Sequence, residues 1–250
     1  MKFVAGERAV FIPEIESLVI SDLHIGFDYE LLKNGIIIPS QIDEMEKRIE
    51  RLFKITKAKR LVILGDVKHK VPGMSWKEEK DLQNFFSKLV KKFEVHITLG
   101  NHDASLATVI GNLVKIHSSR GFKIGEYGFF HGHAWPSKLL LKCKSLFMGH
   151  THPSVQLKDR FGYRLFIPVW VMLEMKKEVG SRYGVELSKD LSLIVVPAFN
   201  KLVGNCVLNV KEDEELLGPI LKSEFVDLNK SKIFTLEGTE LGSLEELRSI

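Results

Sequence analysis

The sequence predicts a mixed α/β (α+β) fold, and three observations predict it. Through the first hundred residues, apolar β-type runs alternate with segments of helical periodicity in the order β-β-α-β-α-β, the pattern of helices laid over a sheet that contains parallel pairs. The second half changes character and becomes a succession of short β-like runs separated by turns. Finally, five of the apolar runs end in short loops made of glycine, aspartate, asparagine and histidine.

Taken in order, "AVFI" at 9–12 and "SLVIS" at 17–21 are β-branched runs split by Pro13 and Glu14, which reads as strand, turn, strand. Residues 40–56 place Ile42, Met45, Ile49, Leu52 and Phe53 at helical spacing, with Ser40 as the cap after Pro39. A strand follows at 61–64. The helix at 75–92 has Ser75 as cap and Glu78 three residues later, turns Leu82, Phe85, Phe86 and Leu89 inward, and ends in lysines that suit its dipole. "EVHITL" at 94–99 is the next strand. Strands are then expected at 113–116, 121–124, 127–131, 145–148, 155–157, 163–171, 192–196, 206–210 and 232–236, and "KEDEELLGP" at 211–219 reads as a charged, exposed excursion. No repeat, low-complexity tract or linker interrupts the chain, so residues 1–250 are expected to form one domain.

Composition narrows the field. With 250 residues and 44% hydrophobic content, the chain can bury a substantial core without covalent staples. Its two cysteines, Cys143 and Cys206, are too few for a disulfide framework and read as buried thiols. No apolar stretch at the start has signal-peptide length, and no later run approaches the roughly 20 residues of a membrane span, so a cytoplasmic protein without a membrane partner is expected. A net charge of +4 permits an anionic substrate and falls short of a nucleic-acid-binding signature.

The chemistry lies in the strand-end loops: "SDLH" at 21–24, "GDVKH" at 65–69, "GNHD" at 100–103, "HGH" at 131–133 and "GHTH" at 149–152. Ligand-binding loops of α/β sheets gather at the carboxyl ends of strands, so five such loops can converge on one crevice. Asp22 and Asp66 offer anionic oxygens, Asn101 a carbonyl oxygen, and His24, His131, His150 and His152 imidazole nitrogens. Mixed nitrogen and oxygen donors without thiolate favour Mn, Fe, Zn, Co or Ni over an all-oxygen Mg or Ca cage. Seven donors exceed the needs of one ion; with Asp66 as bridge, two sets of four hold ions about 3.5–4 Å apart, as in-line displacement at phosphorus uses them. Taken singly, each loop can be a capped strand end or a turn. Together they hold seven of the chain's nine histidines, which packing alone does not explain. His96 and His117 read as structural, and Lys68 and Lys70 either attract phosphate or are solvated loop charges.

The ordered set DxH, GDxx(D/H), GNH(D/E), a later His and GHxH, spanning residues 22 to 152, resembles the calcineurin-like metallophosphoesterase superfamily. The resemblance implies a four-layer α-β-β-α sandwich of two mixed sheets, with too few residues after His152 for a capping domain. It implies a dinuclear centre in which one ion takes Asp22, His24, Asp66 and His152 and the other takes Asp66, Asn101, His131 and His150. His131 is the ligand of "HGH" by the family pattern, leaving His133 either as a substrate contact, with Asn101 and Lys68, or as a residue supporting the ligands from behind. His102 is implied to protonate the leaving oxygen after attack by metal-activated water, with Asp103 orienting it and His69 assisting. Manganese is the expected ion, with Ni, Co, Fe or Zn as alternatives.

"GDVKH" ends in histidine, which resembles the Mre11/SbcD branch, whereas in many phosphomonoesterases of the superfamily the motif ends in aspartate. The surrounding "SDLHIGFDYELLKNGIIIPSQ" is similar to small Mre11/SbcD-related phosphoesterases, some of which accompany DNA ligases or helicases. The implied activity is a phosphodiesterase acting on a nucleotide or nucleic-acid diester, cyclic nucleotides included. The competing readings are a small-molecule phosphomonoesterase or nucleotide pyrophosphatase, and a non-catalytic scaffold. The run 163–175, "YRLFIPVWVMLEM", is apolar on both faces, as suits either a central strand or an interface between subunits.

Overall fold

A computed structural model describes residues 1–70, 73–210 and 218–249, so the expected excursion at 211–219 lies almost wholly outside the described residues. The first sheet has the order β1 (Lys2–Phe3), β2 (Val10–Ile12), β3 (Ser17–Ile20), β4 (Arg60–Ile63), β5 (Glu94–Thr98), β6 (Lys115–His117). Its first three strands pair antiparallel through tight connections, and β3 to β6 run parallel. Parallel neighbours need crossovers, and α1 (Phe27–Lys33), α2 (Gln41–Thr56), α3 (Trp76–Leu89) and α4 (Leu106–Ile110) lie in them.

The helices form where expected, with one difference at a cap. Ser75 Oγ accepts from the Glu78 N–H while Glu78 Oε2 accepts from the Ser75 N–H, a complete capping box. Ser40 precedes α2, but its side chain makes no capping bond. The short helices α1 and α4 were not expected; each is entered through a residue in the left-handed region, Gly26 and Ser105, where no ordinary cap pattern announces a start.

The second half builds a seven-stranded sheet from β7 (Phe122–Ile124), β8 (Tyr127–Phe130), β9 (Ser145–Met148), β12 (Trp170–Met175), β13 (Leu191–Val195), β15 (Lys232–Phe234) and β16 (Glu240–Ser243). The order is β16-β15-β12-β13-β9-β8-β7, parallel at β13–β9 and β9–β8 and antiparallel elsewhere. Both large sheets are therefore mixed. A third, three-stranded sheet joins β10 (Pro153–Lys158), β11 (Arg164–Pro168) and β14 (Cys206–Val207). The expected single strand at 163–171 is two strands in different sheets, divided at Pro168 and Val169. Pro168 still pairs with Ser154 and Val169 N donates to Pro153 O, after which Trp170 pairs with Phe234 in the other sheet; an apolar run shows burial without showing which sheet buries it.

Alternation along the strands sorts three cores. In β4 and its extension, Leu61 and Ile63 face Ile49, Leu52, Phe85 and Phe86 of the helices, whereas Val62 and Leu64 join Phe129, Phe147, Trp170 and Ile194 between the sheets. In β9, Phe147 points into that inter-sheet core while Leu146 and Met148 point outward to Leu140, Val179, Leu244 and Leu247. Those outer residues sit on 3-10 turns at Lys138–Lys142 and Lys177–Tyr183 and on α5 (Leu244–Arg248), which supply the fourth layer. Strands covered on both faces read as unbroken apolar runs, as the sequence does here. Cys143 and Cys206 are both buried, and no described helix is long and apolar enough to cross a membrane.

Trp170 is fully buried between the sheets, its ring stacked on Phe3 at 4.7 Å, and its indole N–H has no partner among the described residues. Trp170→Ala is expected to cost about 3–5 kcal/mol by emptying the inter-sheet core. Trp170→Phe, which keeps a ring and removes the unpartnered N–H, should cost well under half of that. Urea midpoints of the two variants measure the difference, and equal losses would contradict it.

Candidate metal centre

Strands β3, β4 and β5 are parallel in the first sheet and β8 and β9 are parallel in the second, so the five polar loops all leave carboxyl ends, and face-to-face packing of the sheets brings those ends together. The backbone is tightly bent there. Of the eight non-glycine residues with positive φ among those described, five are Asp22 (54°), His24 (43°), Asp66 (48°), His150 (69°) and His152 (47°). Each such residue costs about 1–3 kcal/mol and persists only where its surroundings hold it. Here the loops hold each other: Asp22 N donates to Gly65 O (3.2 Å), His24 N to Asp66 O (2.9 Å) and Gly149 N to His131 O (2.8 Å). Close approach also explains two glycines. A Cβ at Gly100 would land on the Asp66 carboxylate, and one at Gly149 on the Ser21 hydroxyl.

The donors gather in two groups. In one, Asp22, His24 and His152 offer atoms within 4.8 Å of one another, with His152 Nε2 3.4 Å from Asp22 Oδ1 and 3.4 Å from His24 Nε2. In the other, Asp66, His131 and His150 do the same, with His131 Nε2 3.4 Å from Asp66 Oδ2 and 3.1 Å from Asn101 Oδ1. Asp66 Oδ2 also lies 3.7 Å from His24 Nε2, which places this carboxylate between the two groups. All seven expected donors thus come together. His131 is fully buried in its group, whereas His133 stands beside it, ring centroids 5.2 Å apart, its Nδ1 without a partner among the described residues.

Two of the imidazoles are already oriented. His131 Nδ1–H donates to Leu64 O (2.6 Å) and His152 Nδ1–H donates to Gly204 O (2.9 Å), so each turns Nε2 inward, the arrangement that fixes a metal-ligating tautomer. Burial alone would raise the Asp22 and Asp66 carboxyls, but His152 beside the first and His131 beside the second hold both below the usual carboxylate range. Burial would lower those two imidazoles in turn. Asp66 and Asp22 push His131 up to about 9, and Asp22 raises His152. Burial brings His24 down to about 3, and burial with neighbouring His131 brings His150 down to about 4. Two ionised carboxylates faced by imidazoles, with His131 holding a proton that Asp66 and Asp22 favour, make a donor set that divalent ions fit, the ions taking over the charge balance that imidazole protons now supply.

The remaining expected residues divide. His102 and His69 lie on the more open side, 29% and 17% exposed, with rings stacked at 5.8 Å. His102 Nδ1–H donates to His69 O at 2.6 Å, leaving Nε2 4.0 Å from Asp66 Oδ2. His69 Nε2 meets Glu30 Oε2 at 2.8 Å and its Nδ1 meets His24 Nδ1 at 3.3 Å. Asp103 differs from expectation. Its carboxylate accepts from the backbone N–H groups of Val67 (2.8 Å), Lys68 (3.3 Å) and Gly100 (2.8 Å), so it ties two loops together, and the orienting of His102 falls to the His69 carbonyl. Burial pushes that carboxyl up to about 6 despite these donors. Lys68 also differs: it is 1% exposed, with Nζ donating to Lys70 O, so it lies beneath the loop and not on its substrate face.

A sixth loop went unread in the sequence. β13 is parallel to β9, so the segment after it, "PAFNKLVGN" at 197–205, reaches the same edge. Phe199 N donates to Ser21 O (2.7 Å), Asn200 Nδ2 to Leu23 O (3.0 Å), and Gly204 O anchors His152. Buried Arg8 and Arg48 clamp the carbonyls of Ala198, Phe199 and Asn200. The available signal was a strand followed by a Pro- and Gly-punctuated loop in the same position as the other five.

The calcineurin-like phosphoesterase family matches residues 16–170, a span containing all five loops. The chain belongs to that family, which makes it a metal-dependent phosphoric ester hydrolase of a kind that generally binds two divalent ions. Among solved structures it is similar to the nuclease MPE of Pseudomonas putida, with 19% identity, a TM-score of 0.58, and coverage of 94% of this chain and 92% of that one. It is also similar to YfcE, a phosphoesterase from E. coli, with 21% identity, a TM-score of 0.36, and coverage of 57% and 73%. At such identities the first likeness shows a shared fold. No curated protein matches the sequence.

Two outcomes are expected. A group whose folded pKa is raised holds its proton until pH passes that value, so His131, at about 9, is protonated at neutral pH and must release its proton to bind metal. Calorimetry in buffers of different ionisation enthalpy should show at least one proton released on loading at pH 7, with affinity strengthening as pH rises toward 9. His133→Ala should keep that release and His131→Ala should lower it by about one proton. Separately, Asp103→Asn opposes an amide N–H to at least one backbone donor and should destabilise the metal-free fold by about 1–3 kcal/mol in urea; an unchanged midpoint would contradict the loop-tying role.

Proposed function

We propose that the protein is a phosphodiesterase acting on a nucleotide or nucleic-acid diester, with Asp22, His24, Asp66 and His152 holding one divalent ion and Asp66, Asn101, His131 and His150 the other. Manganese is the first choice, and nickel, cobalt, iron and zinc also suit the donors. The observation that carries the reading is the pair His69 and His102, stacked on the more open side of the buried donors. Bound ions would supply Lewis acidity toward the phosphoryl oxygens and lower the pKa of water.

The chain's own residues do the rest. His102, fixed through Nδ1, presents Nε2 toward the centre and can deliver a proton to the leaving oxygen. His69 can donate to the second ester side of the phosphorus, where an aspartate could only accept or repel. Asn101, with its carbonyl oxygen toward His131 Nε2, leaves its amide N–H groups for a nonbridging oxygen, and His133 borders the same space. A nuclease built on the same scaffold is compatible with this reading and does not carry it. The Mre11/SbcD-like sequence neighbourhood extends the proposal to work alongside a DNA ligase or helicase.

The test is hydrolysis of diesters and monoesters after stripping metal and adding back Mn, Ni, Co, Zn or Mg in turn. Diester turnover should exceed monoester turnover. His102→Ala and His69→Asp should lower kcat on a dinucleotide, whose alkoxide leaving group needs a proton, by about 10²- to 10⁴-fold. The same variants should lose less on bis(p-nitrophenyl) phosphate, whose leaving group departs unaided. Monoester preference would replace this reading with a small-molecule phosphatase, and inactivity with every metal would replace it with a scaffold.

A further inference from the structure

The hairpin formed by β10 and β11 carries ten consecutive exposed residues, 157–166. Phe161 is 81% exposed, Tyr163 70%, and Leu165 and Phe166 50% each, an apolar load that a solvated hairpin tip does not need. Interleaved with them are the exposed cations Lys158, Arg160 and Arg164, and the Arg160 guanidinium lies over the Phe161 ring at 4.8 Å. Its one acid, Asp159, is engaged within the turn, where Oδ1 accepts from Phe161 N and Tyr163 N at 2.9 Å each. The tip therefore offers flat rings and uncompensated positive charge together.

The hairpin also grows directly out of the metal centre. β10 starts at Pro153, next to the donor His152, and its root is fixed: Ser154 and Val155 are buried, and Cys206 N and Leu208 N donate to His152 O and Ser154 O. Lys158 stands six residues beyond His152, about 20 Å along an extended strand. At the 3.4 Å rise of a stacked strand, about six nucleotides cover that distance.

We infer that this hairpin is a binding arm for single-stranded nucleic acid, with Phe161 and Tyr163 stacking on unpaired bases and Lys158, Arg160 and Arg164 meeting the phosphates between them. Rings interleaved with cations recognise any base with a free face, which a duplex does not expose. The inference rests on the diesterase reading above and adds the substrate's form to it: a strand whose scissile diester sits at the metals while bases several nucleotides away rest on the arm.

Binding is measured by fluorescence anisotropy of a labelled phosphorothioate thymidine 12-mer, which keeps its charge and resists hydrolysis, on the metal-loaded protein and on Phe161→Ala/Tyr163→Ala. Turnover of bis(p-nitrophenyl) phosphate and sedimentation mass are measured on both. The double variant should bind the strand at least about tenfold more weakly, with unchanged aryl diester turnover and unchanged mass. Equal affinity of wild type and variant, or no binding by either, overturns the arm while aryl diester turnover leaves the diesterase reading standing. Absent diester turnover with strand binding lost in the variant overturns that reading and keeps the arm. A wild-type dimer that the variant converts to monomer, with strand affinity unchanged, makes the hairpin an interface between copies and overturns the inference.

Discussion

Asp22 and Asp66 are buried at the ends of neighbouring parallel strands, and two carboxylates so placed repel each other in surroundings that screen little. Everything around them answers that constraint. His131 holds a proton against Asp66 and the His152 imidazole, raised by Asp22, faces the other carboxylate; backbone N–H groups of His102 and His150 point at their oxygens, and the loops that deliver these groups adopt left-handed backbone that would be unfavourable alone. A cluster that needs positive charge this badly, with two imidazoles more at neutral nitrogen and oriented inward, is organised for cations stronger than protons. Metal binding and local folding are thus coupled in one free energy, since the same ligation would relieve repulsion and lock the strained loops.

The scaffold makes this arrangement possible because it is covered on both sides of both sheets. Strands such as β4 and β9 must be apolar on alternate faces for two different cores, so polar groups can appear only where the strands stop. The carboxyl ends of the parallel strands are where the five polar loops and the segment after β13 emerge together. Support comes from below by main-chain contact: Asp103 gathers three N–H groups from two loops, and Arg8 and Arg48 hold the carbonyls of the sixth.

How much of this was legible depended on whether side-chain chemistry or main-chain geometry did the work. The ligand loops were readable because metal donors must be Asp, Asn or His at strand ends, and Gly must stand where another loop presses close. The buried strands and the two long helices were readable because their periods are long enough to show. Gly204 and Asn200 were not, since one acts through a carbonyl that any residue owns and the other by bracing a backbone. Asp103 was expected to orient His102 and Lys68 to meet substrate, while burial turned one toward three amides and the other beneath the loop. The split at Pro168 was hidden because an apolar run reports burial and not partner.

A division of labour among the histidines follows from burial. His24, His131 and His152 are almost without exposure, which removes them from direct proton exchange with a substrate and suits them to hold ions. His69 and His102 keep access to solvent; His102 has Nδ1 committed to the His69 carbonyl and Nε2 available to a reacting oxygen, while His69 meets Glu30 through Nε2 and His24 through Nδ1. Five of the seven loop histidines therefore fall into two kinds although the sequence presents them alike, and the boundary between the kinds is the edge of the inter-sheet crevice. An anionic phosphoric ester bound in that crevice would have the buried donors beneath it, where divalent ions would neutralise charge, and the more open imidazoles on its solvent side, where a leaving group can take a proton.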